Sequence, residues 1–528
     1  MSISNANSDF EKGEESKSVT MPASEEPQAG GHLAEVDFAE GTLVFMGHGE
    51  VMSRSFNLLS ACATGITTGN SWAVLGAGII ASIYNGGPPG AIYEYTLVSI
   101  FYCFIAASVA EMASSVPSSG GVYHWALITA GPTYGRVCSW FAGWLNGLAW
   151  AFAVAANCVM TSNILVYCYS LYHPDYVYER WHVFISYLLM SWMCCLIVMF
   201  GQRILPTLSR IGSFLIIAGF FVTIIVCAVM PGRSGSGYAS SHSVWAGWEN
   251  MTGYSSNGFV FLAGMLNGAF AVGAIDCVTH IAEEIPNARK NIPKALACQV
   301  GMGFLTGFSY LIVIFYGTSD LASITDADPF CPIGDIYLQA AGSRAGAVGL
   351  LMVLVLPILC ATSGCYVTTG RTIYALGRDG ATPFASKIGS VSERWKSPLW
   401  ATFACGIFMT VIGAIYVGSL TAFDAFIDSF AVLSTLSYLL AILPHMLTGR
   451  KTMKPGPFWM GRWGWVVNAI ACMYIVVSCI IYSFPYSLPT SAASMNYTVV
   501  ITSGLSVLVG VWWLVHGKRH YEAPKIVF

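Results

Sequence analysis

Gly268-Ala269-Phe270-Ala271-Val272-Gly273-Ala274-Ile275-Asp276 lies inside an apolar run, 257–282, that is otherwise long enough to cross a bilayer. A spanning helix needs about 20 mostly apolar residues, yet this one carries helix-weakening glycines and a carboxylate at its centre. Lipid cannot satisfy the N–H and C=O groups that a break sets free, so irregular backbone at that depth is tolerated only where it lines a cavity. A second stretch of the same kind, Gly65-Ile66-Thr67-Thr68-Gly69-Asn70-Ser71-Trp72, interrupts the apolar run 56–83. Paired interruptions at corresponding places in two halves of a chain point to a midplane binding site. Glycine also serves close helix packing, the reading that suits Gly143-x-x-x-Gly147 and Gly303-x-x-x-Gly307.

Outward from these two segments the chain reads as membrane protein throughout. Of 528 residues, 55% are hydrophobic and only 10% charged, against about 25% charged in soluble domains. That excludes a disordered chain, a coiled coil and an ordinary soluble enzyme. Apolar runs predict helices at 56–83, 91–114, 136–167, 180–201, 206–230 and 257–282, then at 296–317, 345–375, 398–418, 423–447, 464–483 and 496–516. The expectation is an all-α polytopic membrane protein of twelve spans. Interrupted helices five spans apart imply an inverted five-plus-five repeat, 56–230 and 257–447, with two helices added at 464–516. The transporter domain is expected over 55–516, between an acidic disordered tail (1–54) and a short tail (517–528).

Charge sets the orientation. With the N-terminus in the cytoplasm, 21 of the 24 Lys and Arg fall inside, and only Arg180, Arg233 and Arg344 fall outside. Cytoplasmic loops carry that excess, so both termini are expected inside. The first 50 residues hold ten acidic side chains against Lys12 and Lys17, a composition too polar to offset ordering entropy. This tail has no signal-peptide pattern and is read either as a platform for ubiquitin ligase adaptors or as a passive solvated segment. Both Asn-x-Ser/Thr sequons, at Asn250 and Asn496, fall in expected outer loops and read as glycosylation sites. Cys168 and Cys331 lie near or beyond the outer edge, so a disulfide between them is one reading; the other cysteines are mostly small apolar fillers.

The one carboxylate at mid-membrane is Asp276. A charge there costs at least about 2.5–3.5 kcal/mol on insertion scales, so it should face a cavity or a partner. It reads as counter-charge to a cationic substrate, as a proton acceptor, or as a structural acid stabilising the break. Glu94 and Glu111, near opposite ends of the second span, read as gating or structural residues, as do Gly268 and Gly273. Trp72, Trp144, Phe270 and Tyr366 sit nearest the breaks or mid-membrane; converging with Asp276, they would suit a quaternary ammonium, which is bound by cation–π contact. No Walker A loop, HExxH, GxSxG or zinc-spaced cysteine pair is present. No enzyme, metal site, cofactor or nucleic-acid partner is therefore expected.

Three further stretches carry a family likeness. They are Ala110-Glu111-Met112-Ala113-Ser114-Ser115-Val116-Pro117-Ser118-Ser119-Gly120-Gly121-Val122-Tyr123-His124-Trp125, Glu283-Glu284-Ile285-Pro286-Asn287-Ala288-Arg289-Lys290-Asn291-Ile292-Pro293 and Arg371-Thr372-Ile373-Tyr374-Ala375-Leu376-Gly377-Arg378-Asp379-Gly380-Ala381-Thr382-Pro383. Together they resemble the amino acid–polyamine–organocation permeases, from about residue 50 to 520. Thr68-Gly69-Asn70-Ser71-Trp72 and Tyr84-Asn85-Gly86-Gly87-Pro88-Pro89-Gly90 look most like the fungal choline and GABA permease branch, its yeast-type choline permeases in particular. The resemblance implies a LeuT-type fold with substrate between helices 1, 3, 6, 8 and 10. It implies that the break at Gly65, Thr67, Thr68, Gly69 and Asn70 supplies backbone groups, that Phe270 gates the substrate, and that Trp144 and Tyr366 lie near the pocket.

Two departures bear on function. Thr67 and Thr68 stand where amino acid carriers of this kind have a Gly-Ser-Gly-like break for a substrate carboxylate, and the fifth helix lacks the Lys of proton-coupled relatives. The expectation is plasma-membrane uptake of choline, with ethanolamine as a further substrate, by alternating access, proton coupling being left open. The alternatives are a GABA or other amino acid permease of the same fold and a non-transporting nutrient receptor.

Overall fold

A computed structural model describes residues 56–326, 330–492 and 494–523. The expected N-terminal tail, with Lys12 and Lys17, lies outside the described residues, as do 524–528. Regular structure among the described residues is helical. The chain runs through α1 (Leu58–Gly69), α2 (Ser71–Ala77), α3 (Ile79–Tyr84), α4 (Gly87–Ser115), α5 (Val122–Thr129), α6 (Gly131–Ser170), α7 (Arg180–Phe200), α8 (Leu205–Ser234) and the short α9 (Ser241–Trp245). Next come α10 (Asn257–Val272), a 3₁₀ segment (Ile275–Glu284), α11 (Ala288–Gly317), the short α12 (Ala322–Asp326) and α13 (Pro332–Ala341), then α14 (Arg344–Arg378) and α15 (Ala385–Ile388). The last helices are α16 (Leu399–Gly418), α17 (Leu420–Leu447), α18 (Trp463–Ile481), α19 (Thr498–Trp512) and a final turn, α20 (Lys518–His520).

Eleven helical stretches among the described residues are long and apolar enough to cross a membrane, α10 and the 3₁₀ segment counting together as one. The stretch expected as the first span, 56–83, is the exception because it is divided into α1, α2 and α3, none of them long enough alone. Local chemistry explains the helix starts. Asn57 accepts the Ser60 N–H at 2.8 Å while Ser60 Oγ accepts the Asn57 N–H at 2.9 Å, a reciprocal cap for α1. Proline stands in the first turn of α4, α6 and α8, where its missing N–H costs nothing. Several helices outrun the sequence expectation: α6 has 40 residues, and α11 starts at Ala288 with Pro293 inside its early turns.

Burial sorts the helices into an inner and an outer set. α7, α8, α16, α18 and α19 present exposed Leu189, Phe214, Ile225, Val411, Met473 and Leu508 outward. α6, α17 and the two broken segments lie inside, with Trp150, Tyr438, Trp72 and Ile275 sealed from solvent. The broken segments stand five spans apart. The short helices α5 and α13 occupy matching places, between the second and third members of each half.

Cys168 and Cys331 both carry free thiols, so the disulfide reading is not realised. Asn496 is 2% exposed, and its Nδ2, the atom that would carry a glycan, donates to the Tyr482 carbonyl at 2.7 Å. That burial corrects the expectation of a glycan at Asn496. Asn250 caps a partly exposed turn, donating to the Tyr254 carbonyl at 2.7 Å.

Candidate functional site

The sixth-span break falls where the glycines place it. α10 stops at Val272, Gly273 and Ala274 are non-helical connectors, and the chain resumes as the tighter 3₁₀ segment. The carbonyl that Ala274 frees accepts the Gln299 Nε2 hydrogen of α11 at 2.7 Å. A buried break must find such a partner from a neighbouring helix. A methyl group at Gly273 would sit 2.8 Å from Phe430, so the glycine also leaves room for that ring of α17.

The first-span break is narrower than the sequence suggests. α1 is helical through Gly69, and only Asn70 leaves the helical region, at φ 28° and ψ 45°. Gly65 and Gly69 serve packing instead, since a Cβ at either would come within 3.0 Å of the Gln299 amide. They form a small-residue face that lets Gln299 pass between the two breaks, the packing role open to any membrane glycine. Thr67 donates to the Ser209 carbonyl of α8 at 2.8 Å, and Thr68 lies against Gly364 of α14. The Asn70 side chain is buried without a hydrogen-bond partner, beside a cavity between α1, α8 and α11.

Asp276, on the first turn after the break, is 0% exposed. Its Oδ1 accepts the Tyr438 hydroxyl at 2.7 Å and the Trp150 indole N–H at 3.2 Å. Its Oδ2 accepts the Asn146 amide at 2.8 Å and faces His280 Nε2 at 3.0 Å. Four donors from α6, α17 and its own segment offset the cost of burying the carboxylate. They also fill its acceptor sites, so a substrate that needs to donate an N–H would have to displace a residue. A cation without N–H groups needs only the charge. Against this cluster stands a layer of rings: Phe430 meets Trp150 at 6.0 Å and Phe270 at 5.2 Å, both edge to face.

Of the residues singled out by sequence, Asp276 sits at the centre of this cluster and Phe270 joins it at one remove, through Phe430 and Trp150. Trp72 does not join them; it packs on Tyr310 and Phe220, towards α11 and α8. Trp144 packs against Trp140, in the separate apolar cluster at α19. Tyr366 bonds Ser191 of α7 at 2.5 Å. Gly268 admits Val98 and Tyr95 of α4. The partners outside that set are Asn146, Trp150, His280, Phe430, Tyr438 and Gln299. One signal was available: Asn146 and Trp150, like Asp276 and His280, stand four residues apart and therefore share a helix face.

At the face of the bundle that bears Leu58, polar ties close the structure. Glu284 pairs with Arg371 at 2.8 Å and accepts Gln202 Nε2 at 3.1 Å, joining the 3₁₀ segment to α14 and to the turn before α8. Glu111 of α4 pairs with Arg450 beyond α17 and accepts the Met460 N–H at 3.2 Å. Asp379 accepts the Tyr123 hydroxyl at 2.8 Å, with His124 at 3.5 Å and Arg378 at 3.2 Å. Burial alone would raise the Asp379 carboxyl; the His124 hydrogen bond, the Arg378 charge and Tyr123 outweigh it and hold it below the usual carboxylate range. Toward the opposite end Glu94, 1% exposed, lies against Gly264 of α10 with neither oxygen hydrogen-bonded. A cleft of about 370 Å³ between α1, α8, the 3₁₀ segment and α14 reaches Cys277, the residue after Asp276, and is lined with Thr64, Ser209, Ser363 and Thr368.

Two discontinuous helices crossing beside a buried carboxylate, inside a ring of lipid-facing helices, define a multi-pass membrane carrier rather than an enzyme. The chain belongs to the amino acid permease family, whose model matches residues 56–505. It is 29% identical to a choline transporter of Saccharomyces cerevisiae, over 90% of this chain and 84% of that one. It is 26% identical to the amino-acid permease BAT1 of Arabidopsis thaliana, over 89% and 91% of the two chains. In fold it is similar to a manganese transporter of Eremococcus coleocola, with a TM-score of 0.52, 15% identity and 91% of this chain covered. The protein is thus a transmembrane permease for amino acids or organic cations.

Proposed function

We propose that this permease carries choline, with ethanolamine as a weaker second substrate, into the cell across the plasma membrane by alternating access. The face bearing Leu58 is then cytoplasmic, as are both termini, and twelve spans are completed by counting α1–α3 as one. The observation that carries this reading is the Asp276 carboxylate, already saturated by four donors, one of them Trp150, whose ring packs edge to face on Phe430 and through it on Phe270. A quaternary ammonium asks for negative charge and aromatic faces and for no hydrogen-bond acceptor, which is the combination on offer. The yeast relative supports the same cargo. An inside-negative potential favours entry of a permanent cation by about 2.3 kcal/mol per 100 mV, so the potential is a sufficient source of energy.

Labelled choline uptake into cells lacking their own carrier tests the reading, with unlabelled GABA as competitor. Displacement by choline and ethanolamine, and none by GABA, is the expected result. Displacement by GABA alone would make the protein an amino acid permease, the reading that the plant relative favours. Accumulation in liposomes containing only this protein separates carriage from a receptor role.

A further inference from the structure

The segment 384–400, which leads from α14 into α16, carries Lys387, Arg394 and Lys396 against a single carboxylate, Glu393. All four side chains are exposed. Among the described residues the three cations enter no ion pair. Two of them lie over indole rings instead. Lys387 Nζ stands 5.8 Å from the Trp400 ring centre, and the Arg394 guanidinium carbon 5.2 Å from that of Trp395. A ring face attracts a cation through its quadrupole and offers no lone-pair acceptor, so the N–H groups of both side chains stay available to an anion.

The segment is fastened at both ends. α15 lies on the end of α14 so closely that a Cβ at Gly389 would come within 2.5 Å of the Arg378 backbone nitrogen. Ser397 Oγ donates to the Val198 carbonyl of α7 at 3.3 Å, and the Trp395 ring meets Phe200 edge to face at 5.1 Å. The cations therefore sit at the shared rim of α7 and α16, with Arg203 exposed three residues beyond Phe200. From that rim two apolar stripes lead away along the helices: Met193, Leu196 and Phe200 on α7, and Trp400, Phe403 and Ile407 on α16, all exposed. Their spacing of three or four residues keeps each stripe on one helix face, and Trp192 against Phe403 at 5.8 Å holds the two helices side by side.

We infer that this rim binds an anionic phospholipid, with its phosphate on Lys387, Arg394 and Lys396 and its acyl chains along the α7 and α16 stripes. Charge and apolar surface together point to one molecule. A soluble anion would use the cations and leave the stripes empty; a neutral lipid would use the stripes and leave three cations without a counter-charge. Basic residues beside a spanning helix are each worth about fivefold in affinity for an anionic membrane surface, and indole rings at helix ends settle at headgroup level. The rival occupant is the chain's own N-terminal stretch, with ten acidic residues in its first 50, but acidity alone makes no use of the stripes. Only the choice of leaflet rests on the orientation proposed above; the binding itself is independent of the cargo.

The test titrates the detergent-purified full-length protein with phosphatidylserine and with phosphatidylcholine, bound lipid being counted by native mass spectrometry. Wild type is expected to prefer phosphatidylserine. The triple variant Lys387→Gln, Arg394→Gln, Lys396→Gln is expected to lose about fivefold in phosphatidylserine affinity per charge removed, about a hundredfold in all, with phosphatidylcholine binding unchanged. The double variant Lys290→Gln, Lys294→Gln, which removes two exposed cations from the start of α11, is expected to keep the preference. Equal affinity of wild type for the two lipids overturns the inference whatever the variants do. So does a loss in the α11 variant as large per charge as in the triple variant, which would make the effect one of total positive charge. Complete displacement of phosphatidylserine by millimolar inorganic phosphate assigns the rim to a soluble anion. A carbodiimide cross-link from a carboxylate of residues 1–50 to Lys387 or Lys396, undiminished by phosphatidylserine, assigns it to the chain's own tail. Either result overturns the inference and leaves the choline reading to its uptake assay.

Discussion

Replacing Asp276 by asparagine removes one charge and almost no volume, and its consequences for binding and for folding should differ in size. For binding, the lost term is the attraction between a carboxylate and an ammonium about 5 Å away. At an effective dielectric constant of about 20 that attraction is roughly 3 kcal/mol, or about two orders of magnitude in affinity. For folding, the new amide oxygen still accepts from Tyr438 and Trp150, the two donors now on Oδ1. The amide nitrogen faces His280 Nε2 and Asn146 Nδ2. A neutral His280 can accept on Nε2 and keep its hydrogen on Nδ1 for Ser119, so one donor–donor contact with Asn146 remains, costing about 1–2 kcal/mol. Concentration-dependent choline uptake by Asp276→Asn should therefore show KM raised by roughly 100-fold or more. The detergent-purified protein should melt only modestly earlier than wild type. KM within a few-fold of wild type would refute the counter-charge role, since among the described residues no other carboxylate is bonded to Asp276 or its four donors.

The close fit of Gln299 between the breaks makes a coupled pair. Gly69→Ala should destabilise by about 1–3 kcal/mol through overpacking, and much less in a Gln299→Ala background, where the amide 3.0 Å away is gone; equal costs in both backgrounds, read by thermal melting, would separate the two residues. Glu94→Gln should be tolerated in stability and uptake, because a bare carboxylate with no bonded partner at membrane depth costs at least about 2.5–3.5 kcal/mol and the amide keeps its shape; a large loss of folded protein would show that a charge is required there. The Asp379 carboxyl is depressed in the fold, so its contribution to stability is present above the unfolded value of about 3.9 and is lost as pH falls through the folded one. Asp379→Asn should reproduce that loosening at neutral pH as faster hydrogen exchange in α5, with exchange in α6 unchanged.

The legibility of the sequence followed the physics of each signal. The sixth-span break could be read because a carboxylate at mid-membrane is costly and stands beside glycines that weaken a helix. The first-span break could not be read as closely, since Gly65 and Gly69 look the same whether a helix unwinds there or makes room for Gln299. Trp72, Trp144 and Tyr366 were read as ring donors from depth alone. Depth says nothing of azimuth, and packing turns Trp72 towards Tyr310, Trp144 towards Trp140 and Tyr366 towards Ser191.

By itself the sequence determined what the bilayer imposes: a helical chain, where its apolar runs cross, which loops carry positive charge, and a carboxylate beside a broken helix. These are consequences of the cost of exposing polar groups to lipid, which is paid residue by residue and so is written locally. Only the tertiary structure decided which side chains meet that carboxylate. Asn146, Trp150 and Tyr438 reach Asp276 across 130, 126 and 162 residues of chain. Such meetings depend on how helices rotate and pack against one another, and no local pattern of hydrophobicity encodes that rotation.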